Sequence, residues 1–210
     1  MSVMSGVDFW FEFGSTYTYL TVARIDRLAR RANVEVRWKP FLLMPLMIEQ
    51  GMSQGPFLAY PRKLDYMWRD LERRAAEHGL PYARPSRYPP EEVITSARLA
   101  LIGADEGWAP RFVEEAFRLH WTEDRPIGTP DNIRSALAAA GQEPDQAIAR
   151  TRTPEVKERL KAQTAEAERL GLFGSPSFVV KGELFWGDDR LEQALEWATR
   201  HQRAGQVGGR

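Results

Sequence analysis

Two hydroxyl side chains three positions apart, Ser15 and Thr18, stand directly after an aromatic stretch and before a helical pattern. The first turn of a helix offers free backbone N–H groups and the positive end of its dipole, which favours an anion by a few tenths to about 1 kcal/mol. A serine hydroxyl aimed at an incoming thiol would hydrogen-bond the charged sulfur and so favour the thiolate. The chain has no cysteine, so that sulfur must come from a ligand, and disulfide, thiolate and cysteine–metal chemistry within the chain is excluded. A serine nucleophile would need a base, and no histidine lies in the same segment. His78, His120 and His201 are far apart, lack metal-ligand spacing, and read as core or surface residues. The plain alternative for Ser15 is a helix cap, since serine is favoured there.

A second position asks for explanation. Pro176 stands at the mouth of Ser177-Phe178-Val179-Val180, a run that otherwise reads as a strand. Proline cannot donate to a ladder and belongs at a strand's first residue or edge. Gly174, two places earlier, marks a bend. The segment is either a loop entering a strand or a cis-proline shaping a ligand site.

The elements that must position these residues follow from periodicity. Residues 7–13 (VDFWFEF) alternate as a strand does, Leu20, Ala23, Ile25, Leu28 and Ala32 recur at near-helical spacing over 18–32, and 34–39 (VEVRWK) alternates again. A strand–helix–strand unit of this kind normally forms a parallel pair. Helical patterns then occupy 57–79, 91–105, 110–121, 130–140, a short piece at 145–150, and 154–170, with proline opening several of them. After Pro176 the spacing predicts two strands joined at Lys181-Gly182 and a final helix over 188–200, with Asp189 as its cap and Glu192 as box partner. The Gly-containing tail after His201 is expected to fray. The order is β-α-β, a helical block, then β-β-α. It predicts an α/β thioredoxin-like fold, with residues 1–43 and 171–210 forming the thioredoxin-like domain and 44–170 a large all-helical insertion between its halves.

Bulk composition narrows the partners. The 210 residues carry 29 Lys plus Arg and 29 Asp plus Glu, so no charge excess argues for nucleic acid or an anionic membrane surface. No apolar run approaches a bilayer span, and residues 1–6 lack the pattern of a secretion signal, so a cytoplasmic protein is expected.

Seven stretches in order carry a resemblance: DFWFE over 8–12 ahead of Ser15, YTYL over 17–20, WKPFLL over 38–43, PRK over 61–63 with Tyr66, ARL over 97–99, GLFG over 171–174 ahead of Pro176, and FWGDDR over 185–190. With them the chain resembles the 2-hydroxychromene-2-carboxylate isomerase family, relatives of kappa-class glutathione transferases and of DsbA-type thioredoxin folds. The resemblance implies glutathione as cofactor, with Ser15 hydrogen-bonding its sulfur. Ser175 and Pro176 match the cis-proline pair, whose first residue offers its backbone N–H and C=O to the peptide part of glutathione. Asp188 and Asp189 match the positions that hold the γ-glutamyl end, and Lys63 a lysine at the site's edge suited to a substrate carboxylate. Thr16 replaces a usual proline and Ser175 a commoner valine. The resemblance also favours a homodimer.

The reading that follows is a glutathione-dependent cis–trans isomerase of an aromatic or conjugated 2-oxo acid. Its rivals are a kappa-like transferase that leaves glutathione on the product, and a thioredoxin-fold protein that binds a thiol or peptide without turnover.

Overall fold

The computed structural model describes residues 6–52, 55–90 and 92–207, apart from the side chains at 56 and 201–207. Strand β1 (Gly6–Phe11) leads through the serine turn into α1 (Thr18–Ala32), and β2 (Glu35–Pro40) returns parallel to β1 with Phe9 opposite Trp38. The helical block comprises α2 (Leu43–Glu49), α3 (Gly55–Leu58), α4 (Pro61–Glu77), α5 (Val93–Glu106), α6 (Ala109–Glu123), α7 (Pro130–Ala139), α8 (Pro144–Arg150) and α9 (Pro154–Arg169). Strands β3 (Ser177–Val180) and β4 (Glu183–Trp186), a 3-10 turn (Asp188–Arg190) and α10 (Leu191–Val207) complete the chain.

The sheet order is β2-β1-β3-β4, with β1 antiparallel to β3 and β3 antiparallel to β4. This is the thioredoxin-like α/β arrangement with its helical insertion. The central strand β1 is buried on both faces, which explains its aromatic content. Phe9 and Phe11 join Trp38 and Phe178 on one face, while Trp10 turns to the other and meets Phe41 edge-on. Each such ring contributes about 1.5–3 kcal/mol by leaving water. The larger core cluster runs from the sheet through α1 into α4, α5, α6, α7 and α9.

Several expectations change in detail. Residues 57–79 form two helices rather than one, because Pro61 starts α4 as its first residue after a break at Ala59 and Tyr60. Helix α2 has no counterpart in the periodicity reading, since seven residues give too few repeats to separate a helix from an apolar loop. The final helix begins at Leu191 after the 3-10 turn that contains Asp189, and Glu192 pairs with Arg24 instead of closing a capping box. Backbone helix continues to Val207, beyond the expected fraying point at His201. At the β3–β4 turn, Lys181 and Gly182 both adopt positive φ, 51° and 86°. That pair of values makes a tight turn whose twist matches the strands. Among the described residues no helix is long and apolar enough to cross a membrane.

Candidate active site

Ser15 does not cap α1. The helix starts at Thr18 behind Tyr17, which makes no side-chain cap. The Ser15 hydroxyl instead donates to the backbone carbonyl of Ser175 at 2.6 Å, across 160 residues of sequence. The Ser175–Pro176 peptide bond is cis, as is Tyr88–Pro89. The Ser175 hydroxyl accepts the N–H of Glu12 at 2.9 Å and lies 2.9 Å from Thr18 Oγ1. Both members of the S-x-x-T pair thus reach the residue ahead of Pro176, one through its backbone and one through its side chain.

Gly174 serves this corner by leaving room. Its φ is ordinary, but an added Cβ would stand 2.1 Å from Trp186 Nε1. Trp186 is half exposed and packs edge-on against Phe173 with ring centres 4.9 Å apart. An apolar rim therefore borders the proline loop.

Helix α4 presents one stripe to the other parts of the site. Met67 Sδ receives the Thr16 hydroxyl at 3.3 Å, Asp70 accepts from the Tyr17 hydroxyl at 3.0 Å, and Arg74 Nη2 lies 2.8 Å from Asp188 Oδ2. Spacings of three and four residues keep these side chains on one face. Lys63 continues that face one turn earlier, exposed, with its ammonium 5.3 Å above the Phe57 ring. Sequence motifs flagged Lys63 alone; the rest of the stripe was invisible because polar Asp70 and Arg74 look like an ordinary solvated face.

Asp188 and Asp189 differ sharply. Asp188 is only 2 % exposed, beside Arg74 and with Arg24 Nη2 at 3.7 Å. The Arg74 contact is one of charge rather than an aligned hydrogen bond and leaves Oδ2 short of a donor. Arg24, itself buried, also donates to the Asp188 and Leu20 carbonyls and pairs with Glu192 at 2.5 Å. Burial outweighs both guanidinium groups and pushes the Asp188 carboxyl up to about 6. Asp189 is half exposed and pairs with the guanidinium of Arg190 at 3.3 Å. Of the two, Asp189 is the carboxylate open to an incoming amine. Arg24 could have been found in the sequence as a charge on the apolar face of α1, between Leu20 and Leu28.

Glu12 lies beneath the serine turn. Its Oε2 accepts the Gly14 N–H at 2.8 Å, and removal from water, partly offset by the Gly14 and Ser15 N–H groups, raises the carboxyl to about 7. Its charge and burial raise the neighbouring Tyr88 phenol, burial being the larger cause, to about 12. Tyr88 lines a cavity of about 380 Å³ with Leu64, Trp68, Arg84, Pro85 and Ser86. There the Arg84 guanidinium sits 4.6 Å over the Trp68 ring, and the Trp68 indole N–H is buried without a partner. Two of the tryptophans differ: Trp121 stacks in the core against Tyr19 and Tyr82, whereas Trp68, also nearly buried, lines this cavity. His120 is also core, and burial lowers it to about 4.

Taken together, a cysteine-free serine turn, a cis-proline loop and a helical block set into a β-α-β/β-β-α sheet define a thioredoxin-like protein. The chain belongs to the DsbA-like thioredoxin domain family, whose model matches residues 6–196. It is similar to 2-hydroxychromene-2-carboxylate isomerase of Sphingobium xenophagum, 27% identical over 89% of this chain and 94% of that protein. Glutathione S-transferase kappa 1 of Homo sapiens is 28% identical over 89% of this chain and 87% of that one. A solved 2-hydroxychromene-2-carboxylate isomerase structure superposes with a TM-score of 0.84 over 98% of this chain and 100% of that one, at 25% identity.

Proposed function

We propose that this protein is a glutathione-dependent cis–trans isomerase acting on a conjugated aromatic 2-oxo acid. The observation that carries this reading is the Ser15 hydroxyl held at the Ser175 carbonyl, off the helix cap. The residues present fit the thiol peptide. Among the described residues the Ser175 N–H has no partner, and its carbonyl is held only by a hydroxyl that can turn away. Those two groups suit an extended peptide, which gains main-chain hydrogen bonds as an added strand would.

When bound, glutathione supplies a thiolate that adds reversibly to the conjugated alkene, turning a fixed double bond into a rotatable single bond before the thiol leaves unchanged. For its part, Ser15 rotates from the Ser175 carbonyl to donate to sulfur, which lowers the thiol pKa and raises the reactive fraction at working pH. Asp189 would hold the γ-glutamyl amine, while Asp188 holds the turn through Arg24 and Arg74. The cavity at Trp68 and Tyr88 suits a planar ring, and Arg84 or Lys63 suits its carboxylate. Bringing both partners beside one turn supplies the gain from proximity.

The test incubates the protein with trans-o-hydroxybenzylidenepyruvate and a small amount of glutathione, following the chromophore while free thiol is counted. Many turnovers per glutathione with thiol undiminished is the expected result. Stoichiometric loss of thiol would assign a kappa-like transferase instead. No chromophore change together with glutathione binding would leave the binding-protein reading.

A further inference from the structure

We infer that the side chain of Ser175, and not only its backbone, positions the thiol peptide; this rests on the glutathione reading above. The register between β1 and β3 pairs Asp8 with Val179 and Trp10 with Ser177. Continued by one step, it places Glu12 opposite Ser175. Residues on a strand present their N–H and C=O to alternate neighbours. The Pro176 carbonyl faces β4, where it accepts the Gly187 N–H at 2.9 Å, so Ser175 is the residue whose backbone groups face β1. In a regular ladder the Glu12 N–H would donate to the Ser175 carbonyl.

It does not. The Glu12 N–H donates to the Ser175 hydroxyl at 2.9 Å, and the carbonyl so released takes the Ser15 hydroxyl at 2.6 Å. A side-chain oxygen has replaced a main-chain one in the ladder. Thr18, fully buried, steadies that hydroxyl from 2.9 Å away. The exchange keeps the Ser175 carbonyl outside the sheet, where Ser15 reaches it and where a ligand's amide can take it over.

A valine at 175 has no acceptor. The part-buried Glu12 N–H would then be left unpaired, which is costly, or would draw in its register partner, the Ser175 carbonyl. Either outcome weakens the ligand's backbone contact without touching the sulfur. Ser175 is thus a positioning residue for binding, and the chemical step itself stays with Ser15.

The full-length protein and its Ser175→Val, Ser175→Thr and Thr18→Val variants are titrated calorimetrically with reduced glutathione. Their melting is followed, and the coupling across a hydrogen bond between Glu12 amide nitrogen and the carbonyl carbon of residue 175 is measured by NMR. Ser175→Val is expected to weaken glutathione about tenfold. The coupling, absent in the wild type, is expected to appear. Ser175→Thr should restore both, and Thr18→Val should shift affinity the same way by a smaller factor.

Unchanged affinity in Ser175→Val, even with a lower melting temperature, would overturn the inference, as would a loss that threonine does not restore. Should Ser175→Val fail to fold, wild-type affinity in Thr18→Val decides against it. A wild type that binds no glutathione defeats the functional reading. The coupling then judges Ser175 alone, and its presence in the wild type rejects the proposed exchange.

Discussion

The two ends of the site hold their parts in opposite ways. At Ser15, Thr18 and Ser175 the side-chain contacts join hydroxyls to neutral partners. At Arg24, Arg74, Asp188 and Glu192 the contacts are between charges, two of them almost wholly buried. A neutral hydrogen bond nets about 0.5–1.5 kcal/mol, and a hydroxyl can rotate to a new partner at little cost. A buried charge that loses its partner costs several kcal/mol. The hydroxyl end is therefore suited to change hands during binding, and the charged end to hold α1, α4 and the turn before α10 together while it does so.

The sharpest way to break that contrast is Arg24→Leu. It removes a buried guanidinium that serves Asp188, Glu192 and two carbonyls, and the expected loss is about 3 kcal/mol. For a chain of this size that lowers the melting temperature by about 6–12 °C. A loss below 1 kcal/mol in denaturant titration would show that the charged end locks nothing.

Ser15→Ala should behave in the reverse manner. Melting should stay within about 2 °C of the parent, while turnover falls roughly ten- to a hundredfold, as expected for one hydrogen bond to a charged sulfur. The ultraviolet titration of bound thiolate should move to higher pH. Full activity with an unmoved titration would return Ser15 to a structural part.

Between these lies Glu12, a titratable group under the neutral end. Its carboxyl is raised from 4.5 to about 7 in the folded chain, so the folded state keeps a proton that the unfolded state has already released. Stability from this group is present below pH 4.5 and is lost as pH rises through 7. Glu12→Gln, which keeps an acceptor for the Gly14 N–H, should remove about 3 kcal/mol of that pH-dependent loss. Asp188, raised from 3.8 to about 6, gives a slope of the same sign at lower pH and remains in the variant. Parallel stability curves for parent and variant between pH 4.5 and 7.5 would contradict the assignment.

The smallest effect belongs to Lys63, exposed with its ammonium over the Phe57 ring. Lys63→Met should raise KM for an acidic substrate about two- to fivefold, the scale of one surface charge, and leave KM for glutathione unchanged. An equal change in both would place Lys63 at the glutathione carboxylates instead.

Much of the fold was legible from local rules. The first helix at 18–32 and the β3–β4 turn at Lys181-Gly182 follow from periodicity and from glycine's tolerance of positive φ. The S-x-x-T turn at Ser15 and the strand-opening Pro176 were likewise visible along the chain, while Ser175 drew notice only through the family resemblance. Local reading failed where roles depend on partners far away in sequence. Ser15 looked as much like a cap as a ligand contact until its hydroxyl was seen on residue 175.

The sequence by itself determined which chemistry was closed: no cysteine excluded disulfide and thiolate chemistry within the chain, and balanced charge gave no pull toward nucleic acid. Periodicity determined which segments become helix or strand, since those preferences act over a few residues. Only the tertiary structure decided which of two adjacent aspartates is spent in a buried ion pair and which stays open. It also decided that the Ser175 side chain completes a ladder and that Met67, Asp70 and Arg74 form one stripe. Each of these turns on burial and on distances between residues up to 163 positions apart, and neither quantity is encoded in any single stretch of the chain.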